Sequence, residues 1–406
     1  MAVDWNRDYR RYRRAVAGRP LPLALVDLDR FDANVRYVAA TQARSGKTIR
    51  VASKSIRCPD LLRRVFQRGG PVYRGVLAFC VAEADFLARG GVDDLIVAYP
   101  TVQPSDLALL VEMTRRGVQV SQMVDCRAHL AALAAAGRSA GLTLNACLEI
   151  DMSWRPLGRR IHLGVRRSPV RSPQAACALA DAAASLSGVA IDAVMGYEAQ
   201  IASVNDRLPG RPLYNRLMRL IKHLSVKEFT RRRGRIVEVL GRAGHRLRAV
   251  NGGGSGSLVS TGADPSITEV SAGSAFFAPG LFGHFHEVRF QPAAFFALQV
   301  VRVPAPTMVT CAGGGYVASG EAGPQKLPRP VMPPGMRYVG LEGAGEVQTP
   351  LVLGRGTPVP ALGDPVFFQH AKAGELCERF NTLALVSEDR IVAQAATYRG
   401  CGLAFP

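Results

Sequence analysis

The sequence predicts a (β/α)8 barrel of the TIM type, followed by a smaller and mainly-β domain. The chain has 406 residues and 48% hydrophobic content, which is enough for a large core and two domains. Eight apolar β-type runs alternate with helical patterns over about 240 residues, which matches eight βα units. After about residue 288 the helical periodicity fades, and short strands appear between glycines and prolines. A doubly wound open sheet is the alternative for the first part, but such sheets usually contain fewer units.

Eight strands are predicted for the barrel, all of them buried and parallel. They span 49–53, 75–80, 94–99, 119–125, 144–151, 190–197, 247–251 and 268–272. The predicted helices between them span 59–68, 82–89, 104–116, 128–140 and 173–186, with a long basic helix within 207–248. This alternation brings the carboxyl ends of all eight strands to one mouth, where the catalytic groups of such barrels lie.

The region after residue 288 is predicted to be a β domain. Its strands are expected at 295–303, 308–311, 313–317, 365–369, 382–386 and 391–395. Residues 319–335 are expected to form a loop rich in proline and glycine. An early strand at 23–28 is expected to pair with the C-terminal sheet. The predicted domains are therefore a barrel over residues 29–287 and a discontinuous β domain made of residues 1–28 and 288–406.

The net charge of +19 is compatible with a nucleic-acid partner, and the densest basic stretch runs over residues 207–248. This stretch is predicted to be a long amphipathic helix, because Leu217, Leu220, Ile221 and Leu224 share one face. No zinc-finger spacing or RNP-like motif accompanies the charge in the sequence. A solvated helix face is therefore favoured over nucleic-acid binding.

The sequence also bears on location. No run approaches the ~20 apolar residues of a membrane span, and the polar N-terminus does not resemble a secretory signal. The eight cysteines are scattered without C-x-x-C pairs, which suggests reduced thiols. The sequence therefore predicts a cytoplasmic protein without a membrane partner.

Lys54 closes the first predicted strand of the barrel and is one of few lysines in a chain that takes most of its positive charge from arginine. A lysine amine can lose its proton and form an imine with an aldehyde, whereas an arginine guanidinium cannot. The position at the mouth makes Lys54 a candidate Schiff-base residue. The alternative is an ordinary surface lysine at the end of a strand.

Two small, donor-rich loops follow the seventh and eighth predicted barrel strands, where barrels of this type often bind phosphate. Their residues are Asn251, Gly253, Gly254, Ser255 and Gly256 in the first loop and Gly273 and Ser274 in the second. Glycines let backbone N–H groups converge on an anion, and serine hydroxyls add donors. Either loop alone would be an ordinary turn, but both together favour a phosphate site. The sequence contains no P-loop motif and no early G-x-G-x-x-G, so a nucleotide is less expected.

A phosphate site and an imine-forming lysine at one mouth fit a ligand that carries both a phosphate and an aldehyde, which is pyridoxal 5′-phosphate. Tyr197, at the end of the sixth predicted strand, is a candidate to pack against the pyridine ring. His162, after the fifth strand, is a candidate to bond the cofactor or a substrate. The alternatives are a half-buried strand-end tyrosine and a surface loop histidine.

The sequence resembles D-threonine aldolases and D-serine dehydratases, which are fold-type III pyridoxal-phosphate enzymes with a barrel related to that of alanine racemase. The resemblance covers about residues 20–402 and is carried by VASKS at 51–55, FCVAEA at 79–84, DDLIVAYP at 93–100, EID at 149–151, GY at 196–197, GGGSG at 252–256, EV at 269–270 and GS at 273–274. It implies that Lys54 holds the cofactor covalently and that Tyr197 lines its ring. The phosphate would be held by Gly253, Gly254, Ser255, Gly256, Gly273 and Ser274. The family usually forms head-to-tail dimers, so a homodimer is expected.

Three positions depart from the family's pattern. His162 aligns where the family has an arginine, and residues 345–348 replace a Glu-His pair. The family binds a divalent metal through a histidine and a cysteine or aspartate two residues later, whereas this chain has His370 followed by Lys372. An ammonium group cannot ligate a metal and would repel one.

Three accounts of His370 and Lys372 remain open. In the favoured account, Lys372 replaces the metal and polarises the β-hydroxyl or carboxylate of the substrate through a charge-assisted hydrogen bond. In another, His370 still binds a metal together with Glu375 or Cys377. In the third, the segment is a diverged sheet loop with a solvated Lys372. The metal is therefore expected to be absent or bound in a non-standard way.

The resemblance implies a lyase that acts on a small D-configured β-hydroxy amino acid. Aldol cleavage would yield glycine and an aldehyde, whereas dehydration would yield a keto acid and ammonia. Cleavage is favoured because the metal that helps to expel hydroxide is not expected. His370 is the candidate acid or base at the β-hydroxyl, and Lys54 is the candidate for proton transfer at Cα. The alternatives are an amino-acid racemase, an arginine-rich nucleic-acid binder, and a non-catalytic pyridoxal-phosphate carrier, which the C-terminal β domain argues against.

Overall fold

This computed structural model describes residues 3–158 and 160–405. A first strand, β1 (Leu23–Asp27), precedes eight parallel strands that close into a barrel. The barrel strands are β2 Thr48–Ala52, β3 Tyr73–Ala78, β4 Asp94–Val97, β5 Gln119–Val124, β6 Leu144–Glu149, β7 Val189–Gly196, β8 Ala249–Gly252 and β9 Glu269–Ala272. Each pairs with the next in the chain, and β9 closes the barrel by pairing with β2. The predicted (β/α)8 fold is confirmed.

Most of the described helices cover the outside of the barrel, whereas the N-terminal helix contacts strands of the β region that follows the barrel. The helices are α1 Trp5–Ala15, α2 Leu28–Ala43, α3 Pro59–Gly69, α4 Val81–Arg89, α5 Pro104–Arg115, α6 Arg127–Ala140, α7 Pro173–Ala184, α8 Ala199–Ala202, α9 Pro212–Arg242, α10 Leu258–Gly262 and α11 Ser274–Phe277. Four of them, α3, α5, α7 and α9, begin at a proline. Proline suits a first helical turn, because its φ is already helical and the N–H it lacks would have no partner there.

The two ends of the barrel interior differ in character. Its middle is filled by apolar side chains such as Met123 and Met195, which belong to one buried cluster. At the amino ends of the strands, the buried guanidinium of Arg50 pairs with Asp94 at 2.9 Å and with Glu269 at 2.6 Å. A buried charge needs such partners, because an unpaired one would cost several kcal/mol. These ion pairs close the end of the barrel that lies away from the mouth.

A second, mainly-β region follows the barrel. Its strands are β10 Ala294–Ala305, β11 Met308–Ala312, β12 Arg329–Met332, β13 Met336–Tyr338, β14 Gln348–Leu353, β15 Pro365–Gln369, β16 Thr382–Ser387 and β17 Arg390–Ala396. The sheet runs β13-β14-β11-β10-β1-β16-β17, with β15 joining β10 to β12. β1 lies antiparallel to β10 and parallel to β16, so the predicted pairing of the early strand with the C-terminal sheet is confirmed.

Several elements of the β region differ from the prediction. The strand expected at 313–317 is a loop, because Gly313 and Gly314 adopt φ values of +73° and +116° that no β-strand tolerates. The expected loop at 319–335 contains strand β12, and strands β13 and β14 and helix α1 were not predicted. These strands are short, and their burial depends on neighbours that are distant in the chain.

The long helix α9 packs on the rest of the protein mainly through its second half, although Asn215 and Ser225 in its first half are also buried. The buried side chains of the second half include Phe229, Ile236 and Leu240. In its first half, Leu217 and Leu220 are 52% and 53% exposed, so the apolar face predicted from the sequence is not the face that packs on the barrel. The helix is about 46 Å long and extends beyond the strands it covers. Among the described residues, no helix combines the length and apolar character that crossing a membrane requires.

Candidate active site

Lys54 lies at the mouth of the barrel, in a short 3-10 turn (Ser53–Ser55) that follows β2. Its side chain is exposed to solvent, yet it is surrounded by enough protein to lose part of its hydration. This desolvation is the largest cause that lowers the pKa of Lys54. The positive charges of Arg167, Lys372 and Arg57 lower the pKa further, and Glu375 opposes them weakly. The arrangement favours a neutral, nucleophilic amine.

The backbone of Lys54 is clamped between the barrel and the β region. Arg57 donates from Nε to the carbonyl oxygen of Lys54 at 3.3 Å, and its guanidinium lies 4.6 Å from the ring centroid of Phe79. From the other side Gly374 approaches so closely that a Cβ on it would lie 1.8 Å from the Lys54 carbonyl oxygen. Only glycine fits there without a shift of the backbone. The β region therefore helps to set the position of Lys54.

Arg167 is a site residue that sequence reasoning missed. Its guanidinium carbon lies 5.2 Å from the ring centroids of both Tyr99 and Tyr197, and Nη2 donates to the Tyr99 hydroxyl at 3.2 Å. Its Nη1 lies 3.7 Å from a carboxylate oxygen of Glu149. Burial raises the pKa of Glu149 to about 7, and Arg167 counteracts this. Arg167 therefore brings a cation to the aromatic side of the mouth.

His162, by contrast, makes a local contact. One of its ring nitrogens, Nε2, lies 3.2 Å from the carbonyl oxygen of Val165, three residues further along the chain. Arg167 thus supplies a cation from the segment in which the family resemblance expects an arginine. The signal in the sequence was the pair Arg166-Arg167, but the folding of the loop decides which of these side chains faces the mouth.

The first glycine loop is tightly packed against its surroundings. A Cβ on Gly254 would lie 3.3 Å from the ring of Tyr197, and a Cβ on Gly256 would lie 2.4 Å from the carbonyl oxygen of Ala202. The N–H of Gly253 donates to the carboxylate of Glu198 at 2.5 Å. Glycine is needed at Gly256 because a Cβ there would clash with backbone, whereas at Gly254 a Cβ would require its neighbours to move by only a few tenths of an ångström.

Glu198 is a second residue that sequence reasoning missed. It is fully buried and pairs with the equally buried Arg233 at 2.5 Å, which in turn pairs with Asp264 at 2.8 Å. Arg233 lies on α9 and Gly253 follows β8, so this network connects the glycine loop to the helix α9. Nothing in the sequence spacing connects these three charges, which only the fold brings together.

The two predicted loops meet through serine side chains. The hydroxyl of Ser255 accepts from the N–H groups of Gly273 at 3.3 Å and Ala275 at 2.9 Å. The hydroxyls of Ser274 and Ser55 lie 3.3 Å apart, and Ser55 is the residue after Lys54. The loops and the lysine therefore share one region of the mouth. The N–H groups of Gly253, Gly254, Gly256 and Gly273 already donate to protein acceptors, so the serine hydroxyls are the donors in this region that suit an anion.

Asn251 lies deeper than the other residues predicted to contact phosphate. Its side-chain N–H donates to Glu269 at 2.9 Å, and its side-chain oxygen accepts from Ser271 at 2.9 Å. All three side chains are buried. The amide of Asn251 is thus engaged within the barrel, beneath the loop that follows it.

Tyr197 stands between the glycine loop and Arg167. Its hydroxyl is 2.5 Å from that of Ser203, and its ring has Gly254 on one side. Burial is the largest cause that raises the pKa of Tyr197, so the phenol stays protonated at neutral pH. The ring is held in place and only half-buried, as a wall for a flat ligand requires.

His370 is more deeply buried than the sequence suggested. Its ring packs edge-on against Phe277, and neither ring nitrogen is exposed to solvent or has a hydrogen-bond partner among the described residues. The backbones of Ala294 and Ala373 lie near the ring without the geometry of a hydrogen bond. Burial lowers the pKa of His370 to about 4, so the imidazole is neutral at physiological pH.

The side chains around Lys372 form a small polar cluster at the edge of the mouth. Lys372 Nζ donates to the hydroxyl of Ser319 at 2.9 Å and lies 3.6 Å from Glu375 Oε1. Both the N–H and the hydroxyl of Ser319 donate to the Glu375 carboxylate. Cys377 is not part of this cluster: it is fully buried and its thiol donates to the carbonyl of Ile56 at 3.2 Å.

Known proteins resemble both parts of this chain. D-threonine aldolase of Arthrobacter sp. is 25% identical over 323 residues, which are 79% of this chain and 77% of that protein. The crystal structure of D-threonine aldolase from Filomicrobium marinum superposes with a TM-score of 0.79 at 20% identity, over 95% of this chain and 97% of that one. D-threo-3-hydroxyaspartate dehydratase from Delftia sp. HT23 superposes with a TM-score of 0.74 at 18% identity, over 94% and 98%.

A family model adds to these similarities. The model for the N-terminal domain of alanine racemase matches residues 26–278, which is more than half of the chain. These residues contain the whole barrel, Lys54, Tyr197 and both glycine loops. The chain therefore belongs to the family of the alanine racemase N-terminal domain.

Proposed function

We propose that this protein is a pyridoxal-phosphate-dependent lyase that cleaves D-configured β-hydroxy amino acids into glycine and an aldehyde. The observation that carries the proposal is the meeting of Lys54 with two donor-rich loops at one barrel mouth. The similarity to D-threonine aldolase extends over most of both proteins and supports this reaction.

The residues at the mouth fit pyridoxal phosphate. Lys54 has an amine with a lowered pKa, as a covalent bond to an aldehyde requires. Gly254 and Gly256 lie so close to Tyr197 and Ala202 that the loop is packed directly against the half-buried ring of Tyr197. We infer that the glycine loops and Ser274 hold the phosphate and that Tyr197 lines the ring. When bound, the cofactor would supply a sink for the electron pair left at Cα.

Lys54 has two roles in this proposal. It would hold the cofactor through its neutral amine. The same amine, after it has taken up the proton of the substrate's ammonium group, would return that proton to Cα of the product glycine. The cations that lower its pKa, Arg167 foremost among them, keep a larger fraction of the amine neutral at a given pH.

His370 is the residue that we propose takes the proton of the β-hydroxyl. Above about pH 4 its imidazole is neutral and able to accept a proton. As the proton leaves, the O–H electron pair forms the carbonyl of the aldehyde and the Cα–Cβ bond breaks. This role requires the ring to turn toward the mouth, because both nitrogens are shielded from solvent. No hydrogen bond among the described residues holds the ring in its present position.

Dehydration is the second candidate reaction. The fold of the Delftia dehydratase matches nearly the whole of both chains, and this similarity supports dehydration as the alternative reaction. Dehydration would use the same mouth but needs an acid at the leaving hydroxyl instead of a base. Its products, a keto acid and ammonia, distinguish it from cleavage.

The spectrum of the purified protein and its products test this proposal. Wild-type protein supplied with pyridoxal phosphate should show a visible absorption band, and it should release an aldehyde and glycine from D-threonine. Lys54→Ala should lose both, because no amine remains to bind the cofactor. Lys227→Ala, which removes an exposed lysine on α9, is the matched control. A band that persists in Lys54→Ala would reject the cofactor assignment, and keto acid or inverted amino acid as the main product would reject aldol cleavage.

We also infer that two copies of the chain associate. Leu213, Leu217, Leu220 and Leu224 lie on the first half of α9 at spacings of four, three and four residues, and all four are exposed. Monomeric proteins rarely expose such a continuous apolar stripe. A second copy of this chain is the occupant that the family resemblance favours.

A cytoplasmic location is proposed on a separate observation. All eight cysteines of the chain are free thiols. Free thiols persist in a reducing compartment, whereas exported proteins tend to pair them.

A further inference from the structure

We propose that the ammonium group of Lys372 supplies the positive charge at the β-oxygen of the substrate, and that this enzyme needs no divalent cation. The inference rests on the proposed lyase function. The family resemblance implies a divalent metal held by a histidine and by a cysteine or aspartate two residues later. His370 and Lys372 stand at those positions in this chain.

The residues near this position do not fit a metal ion. Lys372 has no lone pair to donate while charged. The thiol of Cys377 is buried and donates a hydrogen bond to the backbone carbonyl of Ile56, so it does not face the position of a metal beside His370 as a free thiolate. Both carboxylate oxygens of Glu375 already accept hydrogen bonds from Ser319. That leaves His370, and a single imidazole holds a metal only weakly.

A group of side chains that could ligate a metal ion lies elsewhere in the molecule. Within the described part of the chain, one group of three such side chains has its donor atoms within 4.8 Å of one another: Asp125, Cys126 and His129, after β5. His370 and Glu375 are not part of any such group in the same residues. The position that the resemblance assigns to a metal thus carries the ammonium group of Lys372 and lacks a set of metal ligands.

Hydrogen bonds hold the ammonium group of Lys372 in place at the edge of the mouth. Its Nζ donates to Ser319, which donates in turn to Glu375, so the three side chains form a directed chain of hydrogen bonds. Burial would raise the pKa of Glu375, but the hydrogen bonds from Ser319 and the charge on Lys372 lower it. Glu375 is therefore an anion that orients the ammonium group, and Ser319 is a positioning residue.

A second ammonium group stands beside the first. A Cβ on Gly320 would lie 3.2 Å from Lys326 Nζ and 3.8 Å from Lys372 Nζ. Gly320 has a φ of +104°, which only glycine adopts without strain, so the loop can pass close to both lysines. Two ammonium groups against one carboxylate leave this edge of the mouth positively charged.

Lys372 is also close to the reacting centre and open to it. Gly374, two residues further on, touches the backbone carbonyl of Lys54. The side chain of Lys372 keeps 34% of its exposure, so it remains able to contact a ligand. As the β-hydroxyl loses its proton, negative charge grows on the oxygen until the carbonyl forms. An N–H donor of the ammonium group stabilises that charge in the way an oxyanion hole does.

Metal binding is the direct test, because it can be measured whether or not the enzyme turns over. Wild-type protein treated with a chelator and then titrated with Mn²⁺ should show no tightly bound ion by electron paramagnetic resonance. Its cleavage rate should be the same before and after the chelator. One Mn²⁺ bound per chain in the wild type and lost in His370→Ala, or activity that returns only with Mn²⁺, would overturn the proposal even if the substrate proved to be a different amino acid.

Substitutions of Lys372 test the role of the charge. Lys372→Met should lower kcat by about 100-fold to 1000-fold, as removal of an oxyanion donor does. Its KM should change less, and the cofactor band should stay, which shows that the protein is folded. Lys372→Arg should recover part of kcat because it keeps the charge. Lys326→Met, which removes the neighbouring ammonium, should have a smaller effect. Equal losses in Lys372→Met and Lys372→Arg would mean that packing matters instead, and would overturn the assigned role.

Discussion

At the scale of single residues, the groups around Lys54 determine how readily its amine loses a proton. Desolvation and three cations lower the pKa of its amine, and Arg167 is the foremost of these cations. Arg167 is itself positioned by the rings of Tyr99 and Tyr197 and by Glu149. These neighbours disfavour the proton on Lys54, which is the condition that the proposed imine-forming role requires.

Replacing Arg167 by glutamine should raise the pKa of Lys54 toward its ordinary value. Since only the neutral amine attacks an aldehyde, the pH at which cofactor-free protein binds pyridoxal phosphate at half its maximal rate should move upward. Stopped-flow absorbance at a series of pH values measures this shift. Arg166→Gln, which removes the exposed arginine next to it, is the matched control and should leave the profile in place. An unchanged profile in Arg167→Gln would contradict the electrostatic argument.

At the scale of elements, the barrel and the β region are joined by buried polar contacts. Glu83, in the first turn of α4, accepts from the N–H of Phe79 at 2.8 Å and from the hydroxyl of Tyr398 at 2.9 Å. Tyr398 follows β17 and is itself buried. Burial raises the pKa of Glu83 to about 7, although these hydrogen bonds oppose the shift. The contact between the barrel and the β region at Glu83 is therefore sensitive to pH.

Glu83→Gln should remove part of the pH dependence of stability. The pKa of Glu83 is higher in the folded protein, at about 7, than the ordinary 4.5. Its contribution to stability is therefore complete below pH 4.5 and is lost as the pH rises through 7. Relative to Glu83→Gln, the unfolding free energy of the wild type should fall by up to about 3 kcal/mol across that window. Urea unfolding at several pH values measures the difference.

The control for this experiment is Glu112→Gln, on the exposed surface of α5, where the side chain of Glu112 keeps 45% of its exposure. Its unfolding free energy should follow that of the wild type at every pH. A constant difference between the wild type and Glu83→Gln from pH 4.5 to 7 would contradict the assignment of the shift to Glu83.

At the scale of the whole molecule, the first half of α9 carries an exposed apolar surface. The first half of α9 extends beyond the strands that it covers and exposes its leucine stripe to solvent. The same stripe appears in the sequence as an apolar helix face, which local reasoning would assign to the protein's own core. Exposed apolar faces of this kind are uncommon on monomers and mark candidate interaction surfaces.

Replacing both Leu217 and Leu220 by glutamine should weaken self-association. Burying two leucines contributes about 3 kcal/mol or more, so the dimer dissociation constant should rise by about 100-fold. Sedimentation velocity over a range of protein concentrations measures this constant. Val392→Thr, at an exposed position on β17, is the control and should leave association unchanged. A dimer that persists in the leucine variant with the same affinity would exclude the stripe as the interface.

Local patterns were sufficient for much of the fold. The eight barrel strands were predicted within a few residues, because apolar runs and the helices between them repeat in a regular order. The strand at β1 was found for the same reason. The strands β12, β13 and β14 were missed, because short strands between prolines and glycines carry little periodicity and depend on pairing with distant neighbours.

The sequence by itself determined the barrel, the position of Lys54 at its mouth, both glycine loops and the lysine at the position where the family resemblance expects a metal ligand, since each of these is encoded in consecutive residues. Only the tertiary structure placed Arg167 against Tyr197 and gave His162 a local contact, joined Glu198 to the glycine loop, and turned Cys377 away from Lys372. These are contacts between residues far apart in the chain or inside an irregular loop. Their geometry depends on how whole elements pack, and no local pattern of residues records it.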